Sequence, residues 1–282
     1  MGRVAVVTDS TAYLPADLVT SHGIAVVPVQ VVVDGTAYDE GTEITPTEVA
    51  AALRRWGVVT TSRPSPERFA RAYAEAAAAG ADAVVSVHLS GDMSGTVDSA
   101  TLAARDAPIP VEVVDSRSVA MAMGFAVLEG SRAAEAGGSL PEVAEAVRAR
   151  LGAGSAVFYV DTLDYLRRGG RIGAAQAMLG QALAVKPILE LVDGRVAPLE
   201  KVRTSSRALA RLEEIVVERA AGRPCDIAVQ HLDAADRASG LAARIHARLD
   251  DSVVLVSEVG AVVGAHVGPG MVAVAVSPRP QA

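Results

Sequence analysis

The chain has 282 residues, half of them apolar but only 3% aromatic, and a net charge of −7 from 26 basic and 33 acidic side chains. At roughly 150 residues per domain, the length argues for two domains with an aliphatic core. An acidic chain with three Phe, five Tyr and one Trp lacks the basic patches and stacking platforms of a nucleic-acid binder, and its single cysteine, Cys225, excludes an internal disulfide framework or a multi-thiolate metal site and fits a cytoplasmic location.

The N-terminus, MGRVAVVTDST, enters a strand at once and lacks the basic and apolar segments of a signal peptide. The longest apolar run, IAVVPVQVVV (24–33), is too short to span a bilayer as a helix. In chain order, RVAVVT (3–8) predicts a strand, LPADLVTSHG a short helix, and IAVVPVQVVV one strand ending at an Asp34-Gly35 turn. TPTEVAAALRRWG (45–57) opens with a capping box, Thr45 at the N-cap, Pro46 next and Glu48 at the third position. VVTTS (58–62) is short and extended. SPERFARAYAEAAAAG (65–80) predicts a helix started by Ser65 and stopped by Gly80, with Phe69 and Tyr73 on one face. AVVSV (83–87) is a buried strand, followed by the loop HLSGDMSGTVDSA (88–100), a helix, and the strand VEVVDS (111–116). The tract from 118 to 151 is helical, with a second capping box at Ser139 and Glu142.

After VFYV (157–160) the pattern changes. KPILELVDGRVAPLEKV (186–202) predicts a hairpin about Asp193-Gly194, and TSSRALARLEEIVVERAAG (204–222) an amphipathic helix. CDIAVQHL is a strand and DAADRASGLAARIHARL a helix, while SVVLVSEV and AVVGAHVGPGMVAVAV read as closing strands. The expected fold is an N-terminal, mostly parallel α/β domain over 1–157 and a C-terminal α+β domain with hairpins over 158–282.

Hydroxyl-rich clusters recur just after strands. They are Thr8-Asp9-Ser10-Thr11, Thr60-Thr61-Ser62, Ser90 with Ser94-Gly95-Thr96, and Asp115-Ser116. The carboxyl ends of strands form the ligand edge of an open α/β sheet, so four such loops are expected to converge there. Helix capping explains any one cluster equally well. Hydroxyls and backbone N–H groups suit an anion, above all at a helix N-terminus, and no general base or metal cluster accompanies them. His266, in AHVGPG, stands apart from the other four histidines because the glycines let the backbone turn closely about a ligand. GPGMVA matches a dinucleotide fingerprint but runs on into MVAVAV, a strand rather than a helix. A P-loop and a nucleophile elbow are both absent. Arg203, beside Thr204 and Ser205 at a predicted helix N-terminus, suits a phosphate.

VVTDSTAYLP (6–15), TTSRPSPERF (60–69), MSGTVDSA (93–100), VEVVDS (111–116), DTLDYLRRGGRIG (161–173), AVKPILELVDGRVAPLEKVRT (184–204) and HVGPG (266–270) occur in this order along nearly the whole chain. Together they resemble the DegV family. The resemblance implies a two-domain bacterial protein that holds one long-chain fatty acid, such as palmitate or oleate, between its domains. It also implies a separate ATP-binding kinase subunit that phosphorylates the bound carboxylate, so that this chain is a non-catalytic subunit with no cofactor. Transient contact with a membrane surface would serve lipid exchange.

On the same resemblance, Ser94 of the Ser-Gly-Thr motif, with Gly95 and Thr96, contacts the carboxylate, as does Thr61 with Ser62. His266 lies near the head group, and Arg203 and Arg171 meet the phosphate or the kinase partner. Ser90 falls to a loop or capping role, Met93 replaces a usual leucine, and Arg63 replaces a frequent glutamine at the loop edge. Two other functions stay open: a stand-alone lipid carrier or sensor, and a small-molecule hydrolase or transferase using Ser94.

Overall fold

The computed structural model describes residues 2–55, 57–178 and 185–280; Trp56 and Ala184, which belong to the predicted helix 45–57 and the motif 184–204, lie outside them. Two compact units form. Met1–Gln30 with Ser62–Gly152 make the first, and Val31–Thr61 with Ala153–Ala282 the second.

The chain opens with β1 (Val4–Asp9), a 3-10 turn over Ser10–Ala12, and α1 (Ala16–Ser21). The single strand expected over 24–33 is instead two, β2 (Ala25–Val27) and β3 (Gln30–Val33). Pro28 between them has no N–H for a ladder, and Val29 N donates to Ser10 Oγ at 3.0 Å rather than to a strand. A turn with Asp34 and Gly35 both at positive φ returns the chain as β4 (Thr36–Asp39), followed by α2 (Pro46–Arg54) and β5 (Val59–Ser62). The Thr45–Glu48 capping box forms as expected, Glu48 N donating to Thr45 Oγ1 and Thr45 N to Glu48 Oε2. Strands β4, β3 and β5 make a small sheet in that order.

Next come α3 (Pro66–Ala78), β6 (Ala83–His88), α4 (Thr96–Ala104), β7 (Val111–Asp115), α5 (Met121–Glu135) and α6 (Leu140–Ala153). The sheet of the first unit runs β2-β1-β6-β7, all parallel. Every residue of β6 is buried, as a strand covered on both faces must be. Val85 and Val87 pack with Met123, Val127, Val143 and Val147 of α5 and α6. Val84, pointing the other way, packs with Phe69, Tyr73 and Ala100 of α3 and α4.

The second unit continues with β8 (Ser155–Tyr159), α7 (Asp164–Arg168), a 3-10 segment over Gly173–Met178, β9 (Lys186–Val192) and β10 (Arg195–Val202). It ends with α8 (Ser205–Ala220), β11 (Cys225–His231), α9 (Ala235–His246), β12 (Val253–Glu258), α10 (Ala261–Val267) and β13 (Val272–Pro278). Its mixed six-stranded sheet has the order β10-β9-β8-β13-β11-β12, with only β11 and β12 parallel. The expected hairpin is β9–β10, and Cys225 is wholly buried.

One more expectation changes. AVVGAHV is the helix α10, not a strand. Its valines favour strands, but Gly264 lets Leu232 pack against it, where a Cβ would come within 3.2 Å. Glu40 Oε1 accepts from Val262 N at 2.7 Å, placing a carboxylate at the helix N-terminus. Residues 31–61, which carry Glu40 and α2, fall in the second unit, and α2 packs on α10.

Candidate functional site

In the first unit, the hydroxyl cluster at 8–11 serves the fold. Thr8 Oγ1 donates to the Val87 carbonyl at 2.8 Å, and Asp9 Oδ1 accepts from Thr11 N and Thr11 Oγ1 at 3.0 and 2.5 Å. Asp9 Oδ2 meets Leu89 N at 3.0 Å and His88 Nδ1 at 3.1 Å. His88 Nε2 meets Ser86 Oγ at 2.7 Å, and Ser86 meets the Tyr73 hydroxyl at 2.9 Å. Asp9, His88, Ser86 and Tyr73 are wholly buried, and burial pushes the Tyr73 hydroxyl up to about 12. Acid, histidine and serine in hydrogen-bonded order have the composition of a hydrolytic triad, but a buried serine meets no substrate. The network instead ties β1 to β6 under the loop that follows His88. His88, expected to start that loop, is the last residue of the strand.

Ser90 shapes the loop itself. Its carbonyl accepts from Met93 N and Ser94 N at 3.0 and 3.1 Å, and its hydroxyl from Asp92 N at 3.2 Å. Asp115, after the neighbouring strand, accepts from Gly91 N at 3.2 Å. This delivers Ser94 to the start of α4, where its hydroxyl bonds Thr96 Oγ1 at 2.8 Å. Gly95 is the N-cap and no side chain caps the helix, so its first-turn amides are not bonded by a capping side chain, although the exposed Asp98 sits in that turn. Ser62 is exposed and donates to the Arg63 carbonyl at 3.4 Å.

In the second unit, Thr61 on β5 and His266 on α10 come together, Thr61 Oγ1 lying 2.9 Å from His266 Nε2. The other ring nitrogen, Nδ1, is buried without a partner. It faces Gly169, where a Cβ would stand 2.1 Å away. Burial, helped by the Arg171 charge, lowers His266 to about 4, so the ring is neutral at pH 7. A neutral imidazole has one N–H. In the tautomer that carries it on Nε2, the ring donates to Thr61 and leaves the Thr61 O–H to donate elsewhere; in the other, Thr61 donates to the ring. A carboxylate, which only accepts, fits such a hydroxyl.

The turn after His266 needs its glycines. Gly268 and Gly270 have φ of +76° and +88°, and a Cβ at either would strike the Tyr165 ring or the Asp161 carboxylate. Arg171 donates from Nη1 to the Gly169 carbonyl at 2.7 Å and is partly buried. Arg203 is exposed, one residue before Thr204, whose hydroxyl caps α8 by accepting from Arg207 N. The four expected hydroxyl loops therefore divide: three follow strands of the parallel sheet, and Thr60-Thr61 belongs to the small sheet of the second unit.

Local sequence pattern did not reveal the Asp9–His88 network or the carboxylate of Glu40 on α10, because both join residues far apart in the chain. A cavity of about 600 Å³ in the second unit is lined by Arg54, Asp161, His231, Asp233, Arg237 and Glu258, among others. It includes none of the expected site residues. Ion pairs Arg54–Asp233 and Arg237–Asp161 cross its wall, a poor lining for an acyl chain. Among the described residues no group of three or more His, Cys, Asp or Glu side chains could hold a metal ion, and no helix is long and apolar enough to cross a membrane.

A parallel α/β unit with a hydroxyl-bearing helix start, joined in sequence to a mixed-sheet unit with a neutral buried histidine, defines a two-unit α/β protein. The family model described as "uncharacterised protein, DegV family" matches residues 3–279, and this chain belongs to the DegV family. A DegV domain-containing protein of Streptomyces coelicolor is 58% identical over 98% of this chain and 99% of its own length. The solved structure of a fatty-acid-binding DegV family protein from Thermus thermophilus is similar with a TM-score of 0.93 and 38% identity, over 98% of this chain and all of that one. DegV of Bacillus subtilis, a fatty acid binding protein, is similar with a TM-score of 0.91 and 33% identity, over 99% of this chain and all of its own.

Proposed function

We propose that this protein binds one long-chain fatty acid and takes its carboxylate on the hydroxyls of Thr61 and Ser94. Ser62, Gly95, Thr96 and His266 complete the head-group set, and the tail lies along aliphatic side chains. The observation that carries this is full-length likeness to two fatty-acid-binding structures at 38% and 33% identity. The Thr61 hydroxyl, a donor to the ligand when His266 carries its proton on Nε2, and the uncapped start of α4 add the right chemistry for an acceptor-only group.

The chain is a cytoplasmic, non-catalytic subunit without a cofactor. It presents the bound lipid to a separate ATP-dependent kinase that forms the acyl phosphate, and it touches a membrane surface only to exchange lipid. Arg203 and Arg171 are its phosphate or kinase contacts. The bond of Ser94 to Thr96, rather than to a base, speaks against a hydrolase.

Native mass spectrometry of the purified protein, followed by release and identification of any adduct, tests the ligand. One fatty acid per chain is expected. A bare chain that also refuses added palmitate and oleate overturns the proposal. Arg203→Ala should keep full lipid occupancy and slow acyl phosphate formation by a partner kinase; lost occupancy would remove Arg203 from that role.

A further inference from the structure

Gly95 has φ −74°, a conformation open to any residue, so backbone freedom does not explain the glycine. Space does. A Cβ at position 95 would stand 2.2 Å from Arg63 Nη1 and 2.8 Å from Arg63 Cδ. The Arg63 side chain therefore lies across Gly95, over the start of α4 and one residue from Ser94. Arg63 is exposed, and among the described residues its guanidinium has no ion-pair or hydrogen-bond partner. The guanidinium and the α4 amides both favour an anion there, and Asp98, also in the first turn, is exposed and offsets part of that charge.

We propose that Arg63 is the charge-selecting residue of the Ser94 head-group site. It favours an ionised carboxylate over an uncharged head group on the same tail. The inference rests on the fatty-acid reading above and goes beyond it, because hydroxyls alone would serve an alcohol or an acid. A guanidinium presents paired donors that match a carboxylate, which a serine hydroxyl cannot do. The contribution comes from an exposed group and is weakened by salt.

Palmitate and hexadecanol share a tail and differ in head-group charge, so their affinities separate the two parts of the site. Both are measured on the full-length protein by displacement of a pyrene-labelled fatty acid. At low salt, Arg63→Gln should reduce the preference for palmitate about tenfold with hexadecanol affinity unchanged, while Arg63→Lys keeps most of the preference. In 0.5 M salt the gap between wild type and Arg63→Gln should narrow. An unchanged preference in Arg63→Gln overturns the role of Arg63 and leaves fatty-acid binding standing. If the wild type takes up neither lipid, the fatty-acid reading fails and this inference with it.

Discussion

His88 in the first unit and His266 in the second are both enclosed, and they are held in different ways. His88 has partners on both nitrogens, Asp9 and Ser86, and its ring packs edge-on against Phe69 with centroids 4.9 Å apart. His266 has one partner, Thr61, and a buried nitrogen with none. Close packing holds it instead, since a Cβ at Gly169 would stand 2.1 Å from Nδ1. A histidine whose bonding capacity is filled fixes the backbone around it. One with an unfilled nitrogen is kept neutral and, with its proton on Nε2, leaves its neighbour's hydroxyl available. The first arrangement serves the fold, and the second is the one in the proposed head-group set.

The sharpest way to break this contrast is at Asp9. Its carboxylate accepts from Thr11 N, Thr11 Oγ1, Leu89 N and His88 Nδ1. Asp9→Ala strands these donors in the core and should lower unfolding free energy by about 3–5 kcal/mol in urea titrations. His266→Gln removes only one internal bond and should lower it by about 1 kcal/mol at pH 7. Equal losses would end the distinction between the two histidines.

The next test is pH. The His266 pKa drops from 6.5 to about 4 on folding, chiefly by burial. As pH falls from 6.5 towards 4 the unfolded chain takes up the proton first, so the folded state loses stability across that window. The loss approaches about 3 kcal/mol and is complete below pH 4. Other groups titrate there too, so the informative quantity is wild type minus His266→Gln. That difference should fall steadily from pH 6.5 to 4. A flat difference would mean that the ring is not neutral in the folded protein.

Much of the architecture was legible because it is written in local chemistry. Thr45 with Glu48, Ser139 with Glu142, and the Asp34-Gly35 and Asp193-Gly194 turns sit where capping and turn rules place them. The strand AVVSV, buried at every residue, needed only its composition, although His88 extends it by one. What was not legible depends on distant partners. AVVGAHV becomes a helix because Glu40 and Leu232 meet it, and no valine count reveals that. Residues 31–61 fall in the second unit, where α2 packs on α10. In the site, Ser94-Gly95-Thr96 and His266 stood out through their glycines, whereas the occupant of the space at Gly95 is Arg63, 32 residues earlier in the chain.

The smallest effects on stability should come from the hydroxyls nearest the proposed head group. Ser94 bonds only Thr96 among the described side chains, and Thr61 only His266. Ser94→Ala and Thr61→Ala should each lower stability by no more than about 1 kcal/mol. Their effect on function should be uneven. Burying about 14 methylenes at about 0.8 kcal/mol each gives a gross gain of about 11 kcal/mol, before the cost of association. A single hydroxyl contributes about 1–3 kcal/mol at most, so the tail dominates affinity while the hydroxyls aim the carboxylate. Both variants should therefore retain lipid through purification yet form acyl phosphate at least tenfold more slowly with a partner kinase, since misplacing the reacting oxygen costs rate more than binding. Equal loss of lipid and of turnover would show that the hydroxyls, not the tail, hold the ligand.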